Sequence, residues 1–142
     1  MNNELRDALS LIITDANRVD LLVQHANKIG RQLVDYPKKE DRLSTSQIRS
    51  LFGEVRQIEA QWSMGGDNRK KAYRRMVLLK PKMAYRAKKE RKQGVQDLVE
   101  ILDSALEPVI RETDETRRYV YFSHFVEFFE AILAYHKAAG GN

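Results

Sequence analysis

The stretch Tyr121-Phe122-Ser123-His124-Phe125-Val126-Glu127-Phe128-Phe129-Glu130-Ala131-Ile132-Leu133-Ala134-Tyr135-His136 decides the fold class. Phe122, Phe125, Val126, Phe129, Ile132, Leu133 and His136 recur at the three- and four-residue steps of an α-helix. Tyr121, Phe128 and Tyr135 widen the face they make. A helix apolar on nearly every side sits at the centre of a helical protein, or meets a second molecule as well as its own core. The spacing predicts this helix over about residues 114–138, with Gly140-Gly141 ending it.

The same period extends upstream. Val95, Leu98, Leu102 and Leu106 form the inner stripe of a further helix, with Pro108 in its last turn. Before it lies a basic segment that turns Tyr73, Met76 and Val77 to one side and ends at Gly94. Pro81 predicts a break or kink near Lys80, because the residue before a proline avoids the α region. Ser44-Thr45-Ser46-Gln47 has capping-box spacing and opens a helix whose core face is Ile48, Leu51, Phe52, Val55, Ile58 and Trp62. Gly65-Gly66 ends that helix, and Asp67 or Asn68 can cap the next. Over about residues 3–35, Leu5, Leu9, Ile12, Ala16, Val19, Val23, Ala26 and Leu33 follow a heptad stripe, which Thr14 and Asp15 can split into two helices. Tyr36–Asp41 is a polar linker. No segment alternates like a strand. The expectation is an all-α protein, a single compact bundle of about five helices. It forms one domain over 1–142, with an N-terminal helix or helix pair (1–36) and a helical core (43–138) that carries the basic segment 67–93.

Composition narrows the chemistry. The 142 residues include no cysteine, which excludes thiol catalysis, Cys-ligated zinc and iron–sulfur clusters. No apolar run reaches the roughly 18 residues of a membrane span, and Met1-Asn2-Asn3-Glu4 has no basic, apolar leader pattern. An intracellular, cytoplasmic protein without a membrane partner is expected. The net charge of +5 hides a strong polarity. Residues 67–93 carry twelve basic side chains against Asp67 and Glu90, residues 1–66 are neutral, and residues 94–142 are net −5.

Catalysis finds little to work with. There is no phosphate-cradling glycine loop, no nucleophile elbow and no His-Glu-x-x-His. His124, Glu127 and Glu130 are one isolated carboxylate–imidazole set, short of a di-metal bundle. No enzyme, cofactor or metal is expected. The basic segment instead points to a polyanion, whose condensed counterions are released on binding. With only Tyr73 and Tyr85 as aromatics there, contact falls on phosphates and sugars rather than on a row of stacked bases. Arg74, Arg75, Lys80, Lys82, Arg86, Lys88 and Lys89 are candidates within it. On the preceding helix Arg49, Gly53, Arg56 and Ala60 share one face, where two arginines flank residues small enough to admit a phosphate backbone. Two other readings stay open: a DNA-binding regulator of helix-turn-helix type, and a helical adaptor that docks an acidic protein.

Three strings then stand out in order. Ser46-Gln47-Ile48-Arg49 opens a helix, Leu79-Lys80-Pro81-Lys82-Met83-Ala84-Tyr85 follows, and Phe125–Lys137 closes the series. Together they resemble the small subunit of the type III-A CRISPR effector, the Csm complex, over about residues 43–137. The resemblance implies a compact, non-catalytic helical protein for antiviral defence. Such a protein would stack in several copies with the other subunits and line the channel that holds guide RNA and target RNA. It carries Arg49, Lys80 and Lys82 over as residues near RNA, and Arg56 joins them as a neighbour of Arg49 on its stripe. Arg86 follows Tyr85 directly, where the family is expected to have small residues before the arginine, so the register of Arg86, Lys88, Lys89 and Arg91 is not carried over.

Overall fold

The computed structural model describes residues 1–142 and contains helices and no strand. Six α-helices run in order: α1 (Asn3–Thr14), α2 (Val19–Gln32), α3 (Thr45–Ser63), α4 (Asn68–Glu90), α5 (Gln93–Arg111) and α6 (Glu115–Ala138). Short 3-10 turns occupy Ala16–Arg18 and Lys39–Asp41.

α6 is the central element. Phe122, Phe125, Phe128 and Phe129 are all fully buried, and α1, α2, α3 and α5 pack around them. Aromatic contacts run from Trp62 to Phe122 (5.2 Å between centroids), to Phe125 (5.8 Å), to Phe129 (6.3 Å) and back to α3 at Phe52 (5.1 Å). His136 is buried at the far end and donates from Nε2 to the Leu43 carbonyl at 2.7 Å. His124 donates from Nδ1 to the Ile13 carbonyl at 2.7 Å and so satisfies one of the last acceptors of α1.

The helix count is six rather than about five, because the N-terminal segment divides. Asp15 leaves the helical region (ψ 104°) and its carboxylate accepts from the Asn17 amide at 3.0 Å. This resets the helical phase, so the heptad stripe loses Val19 and Val23, although its later members Ala26 and Leu33 stay buried. Val19 and Val23 are 62% and 45% exposed, while Leu22, Ala26 and Ile29 face the core.

The break expected near Lys80 is absent, and α4 runs through Pro81. A helix-interior proline costs roughly 3 kcal/mol. Ala72, Met76, Leu79 and Met83 are buried on both sides of it. At about 1.5–3 kcal/mol for each large apolar side chain, they outweigh that cost. α5 likewise continues through Pro108. Nor does Gly94 end the basic helix. Arg91 does, in the left-handed conformation (φ 53°), and Gly94 lies in the first turn of α5. The α3–α4 turn follows its glycines, with Gly65 and Gly66 both at positive φ. The Ser44 amide donates to Gln47 Oε1 at 3.0 Å at the start of α3.

The tightest crossing lies between α2 and α6. A Cβ on Gly30 would stand 2.7 Å from the His136 backbone nitrogen and 2.9 Å from the Ile132 carbonyl oxygen, while one on Gly53 meets nothing. Gly30→Ala should therefore lose about 1–3 kcal/mol to overpacking despite its better helix propensity. Gly53→Ala should gain about 0.5–1 kcal/mol. Urea denaturation midpoints of the two variants should move in opposite directions; a Gly30→Ala protein as stable as the parent would remove the close crossing from the account.

Candidate nucleic-acid interface

α3 and α4 lie side by side and antiparallel, and their facing edges form a polar seam. At one end Arg75 donates to Gln61 Oε1 at 3.0 Å and to Gln57 Oε1 at 3.3 Å. In the middle Lys82 meets Glu54 at 2.6 Å. At the other end Arg86 donates to the Gln47 carbonyl at 3.1 Å and to Ser50 Oγ at 3.4 Å. Residues 47, 50, 54, 57 and 61 recur at three- and four-residue steps, as one edge of a helix must. A pair zipped along this length does not have the crossing of about 90–120° between helices of a helix-turn-helix.

Lys80 points the other way, towards α5. It is paired with Asp103 at 3.2 Å and with Glu107, and its side chain is only 24% exposed. Burial alone would lower its pKa, but the hydrogen bonds it donates to Glu107 and Asp103 and their charges outweigh that and hold the ammonium above the usual lysine range. The two lysines of the Lys-Pro-Lys string thus differ: Lys80 links α4 to α5, whereas Lys82 is 57% exposed on the seam.

The face of α4 opposite its buried stripe carries Lys70, Lys71, Arg74, Lys88 and Lys89. All five are exposed and none lies within ion-pair distance of a carboxylate. Leu78 (43% exposed), Pro81 and Tyr85 lie along the same ridge. On α3 the outward stripe is Arg49, Gly53, Arg56 and Ala60, every one exposed. Arg49 has no acidic partner, while Arg56 reaches Glu59 at 3.8 Å and Glu130 of α6 at 3.5 Å and lies 6.0 Å from the Phe52 ring centre. The stripe and the ridge flank the seam and together make one outward layer.

Nine side chains singled out from the sequence therefore fall into three groups. Arg49, Arg74, Lys88 and Lys89 are open; Arg75, Lys82 and Arg86 bridge α3 to α4; Arg56 and Lys80 pair with acids of α6 and α5. Lys70 and Lys71 belong with the open group, which the helical phase of Arg74 would have indicated. Glu59 lies one turn from Arg56 on α3, but Glu130, Asp103 and Glu107 are brought in by tertiary packing, at sequence distances no local pattern encodes. No group of three His, Asp or Glu is placed to hold a metal ion.

Fold and face thus define a small all-helical protein with a one-sided cationic layer. A family model described as Csm2 Type III-A matches residues 16–142, which take in every helix except α1. The chain belongs to that family and is a structural subunit of the type III-A CRISPR complex. No curated protein and no solved structure matches it significantly.

Reversing the two lysines should separate their roles. Lys80→Glu sets a third carboxylate against Asp103 and Glu107 and should cost about 1–2 kcal/mol. Lys82→Glu, on an exposed seam, should stay within about 1 kcal/mol. A pKa raised by folding gives stability that is present below the unfolded value and is lost as the ammonium deprotonates. The advantage of the parent over Lys80→Met should accordingly hold at neutral pH and fade above 10.5. Equal urea midpoints for Lys80→Glu and the parent would rule out the α4–α5 link.

Proposed function

We propose that this chain is a non-catalytic subunit whose α3–α4 layer holds RNA backbones. Several copies would stand in a row along the guide RNA and target RNA channel of the type III-A complex, in antiviral defence. One observation carries this reading: five cations in two clusters along one face of a 23-residue helix, Lys70, Lys71 and Arg74 near its start and Lys88 and Lys89 near its end, point outward without a carboxylate partner. Such unpaired charge gains most from a polyanion, since each neutralised phosphate releases condensed counterions. Lys80 and Lys82 would first have to share or leave Glu107, Asp103 and Glu54, so the open ridge and Arg49 make the primary contacts and the seam residues the secondary ones.

Phosphate contacts carry position and little sequence information. That suits a subunit in a guided complex, where base pairing supplies specificity. Few contacts per copy imply weak binding alone, and a row of tethered copies raises the effective concentration without adding new ones.

The isolated chain should bind RNA of any sequence weakly, with affinity falling steeply as salt rises. Arg74→Glu/Lys88→Glu/Lys89→Glu should keep the parent's melting temperature. On a single strand its log–log salt slope should be shallower by about 0.7 for each phosphate the variant no longer neutralises. Fluorescence anisotropy across a salt series measures both. An unchanged slope would sink the assignment of the ridge, and preference for one DNA duplex sequence would favour a regulator instead.

A further inference from the structure

Two tyrosines lie in the basic segment, and the fold engages only one. Tyr73 stands edge-on to Trp62 (6.4 Å), has Arg118 stacked 4.0 Å from its ring centre, and donates its hydroxyl to the Ile110 carbonyl at 3.4 Å. Tyr85 is 67% exposed; its hydroxyl makes no hydrogen bond and its ring packs on no other aromatic ring. It stands on the outward face of α4, one turn from Lys82 on one side and from Lys88 and Lys89 on the other.

Beside the ring a concavity of about 270 Å³ opens between α3 and α4, lined also by Leu51, Glu54, Lys82, Arg86, Lys89 and Glu90. Its carboxylates do not cancel its cations. Glu54 is already met by Lys82 at 2.6 Å, which leaves Arg86 and Lys89 against Glu90. Glu90 Oε2 is enclosed without any hydrogen-bond donor.

We infer that Tyr85 and this concavity take one unpaired nucleoside of the bound RNA. The base stacks on the phenol ring, Lys89 meets one flanking phosphate, and Lys82 meets the other while sharing its charge with Glu54. The inference rests on reading the α3–α4 layer as an RNA surface. An aromatic face bracketed by cations is the arrangement that binds single-stranded nucleic acid, and stacking is indifferent to base identity. A-form duplex offers no free base face, because its bases stack on one another. One such site is too little for a single-strand binder. It suffices to recognise a nucleotide that leaves the duplex, which makes the layer sensitive to pairing as well as to charge.

The test uses the full chain with a short RNA carrying 2-aminopurine, single-stranded or fully paired. Tyr85→Phe should bind and quench like the parent. Tyr85→Leu should lose the quenching and about fivefold or more in affinity for the single strand. Its salt slope, duplex affinity and melting temperature should stay unchanged, since the ring lies outside the core. Parent-like quenching and affinity in Tyr85→Leu, or an equal loss on the duplex, would overturn the inference. If Arg74→Glu/Lys88→Glu/Lys89→Glu still weakened binding in that case, the RNA surface would stand while the stacking site fell. If the unaltered chain showed no salt-dependent RNA binding, both would fall. Loss of co-assembly in Tyr85→Leu with RNA binding intact would make Tyr85 a protein contact, again overturning the inference.

Discussion

A helix apolar around most of its circumference has to be covered on all but a narrow polar edge, and α6, whose exposed edge carries Glu127, Glu130 and Lys137, imposes that on the whole chain. Its four buried phenylalanines draw α1, α2, α3 and α5 around it. Burying one such side chain contributes about 1.5–3 kcal/mol, so the four together strongly favour covering α6. α4 is left at the edge, packed on α3 and α5 and required to bury only the narrow stripe Ala72, Met76, Leu79 and Met83. Its flanks are engaged where they meet α3 and α5, while the ridge opposite the stripe is free of packing duties, and there the chain leaves its unpaired cations. The core and the charged layer are thus one decision, made by the composition of α6.

Concentrating twelve cations in 27 residues carries a repulsive cost, and the fold relieves part of it unevenly. α5 supplies Asp103 and Glu107 to Lys80, α3 supplies Glu54 to Lys82, and neutral amides receive Arg75. Every one of these contacts lies on a flank of α4 where it meets a neighbouring helix. The ridge pointing to solvent receives none. Repulsion is therefore lowered where helices must approach and left standing on the solvent-facing ridge, as the proposed contact with a polyanion requires.

Much of this was legible from the chain alone, and the misses share a cause. The period of Phe122–His136 gave the central helix, the Ser44–Gln47 spacing gave the start of α3, and charge counting located the basic layer. The family match to Csm2 Type III-A agrees with the resemblance read from three short strings and extends it back to residue 16. Local rules failed where packing overruled them: Pro81 stays inside α4, and Arg91 rather than a glycine makes the left-handed stop. The split at Asp15 was open in the sequence, but the exposure of Val19 and Val23 depends on a phase reset that no stripe reveals. For the interface, the failure is sharper. Lys80 and Lys82 are two residues apart in one string, and only the positions of α5 and α3 tell them apart.

The distribution of arginine and lysine over the layer follows the same division of labour. Arginine offers a rigid planar fork with several donors, whereas lysine is a point charge on a flexible stem. Both arginines of the seam use that fork to bridge two acceptors on α3, Arg75 to two glutamines and Arg86 to a carbonyl and a hydroxyl. Four of the five open residues on the ridge are lysines. A surface that fixed phosphates through forks would demand one register of the RNA. A lysine ridge tolerates several, which suits the proposed role of copies repeated along an RNA. Directional donors hold α3 to α4, and non-directional ones face solvent, so the platform is rigid while the proposed grip on an RNA backbone is adaptable.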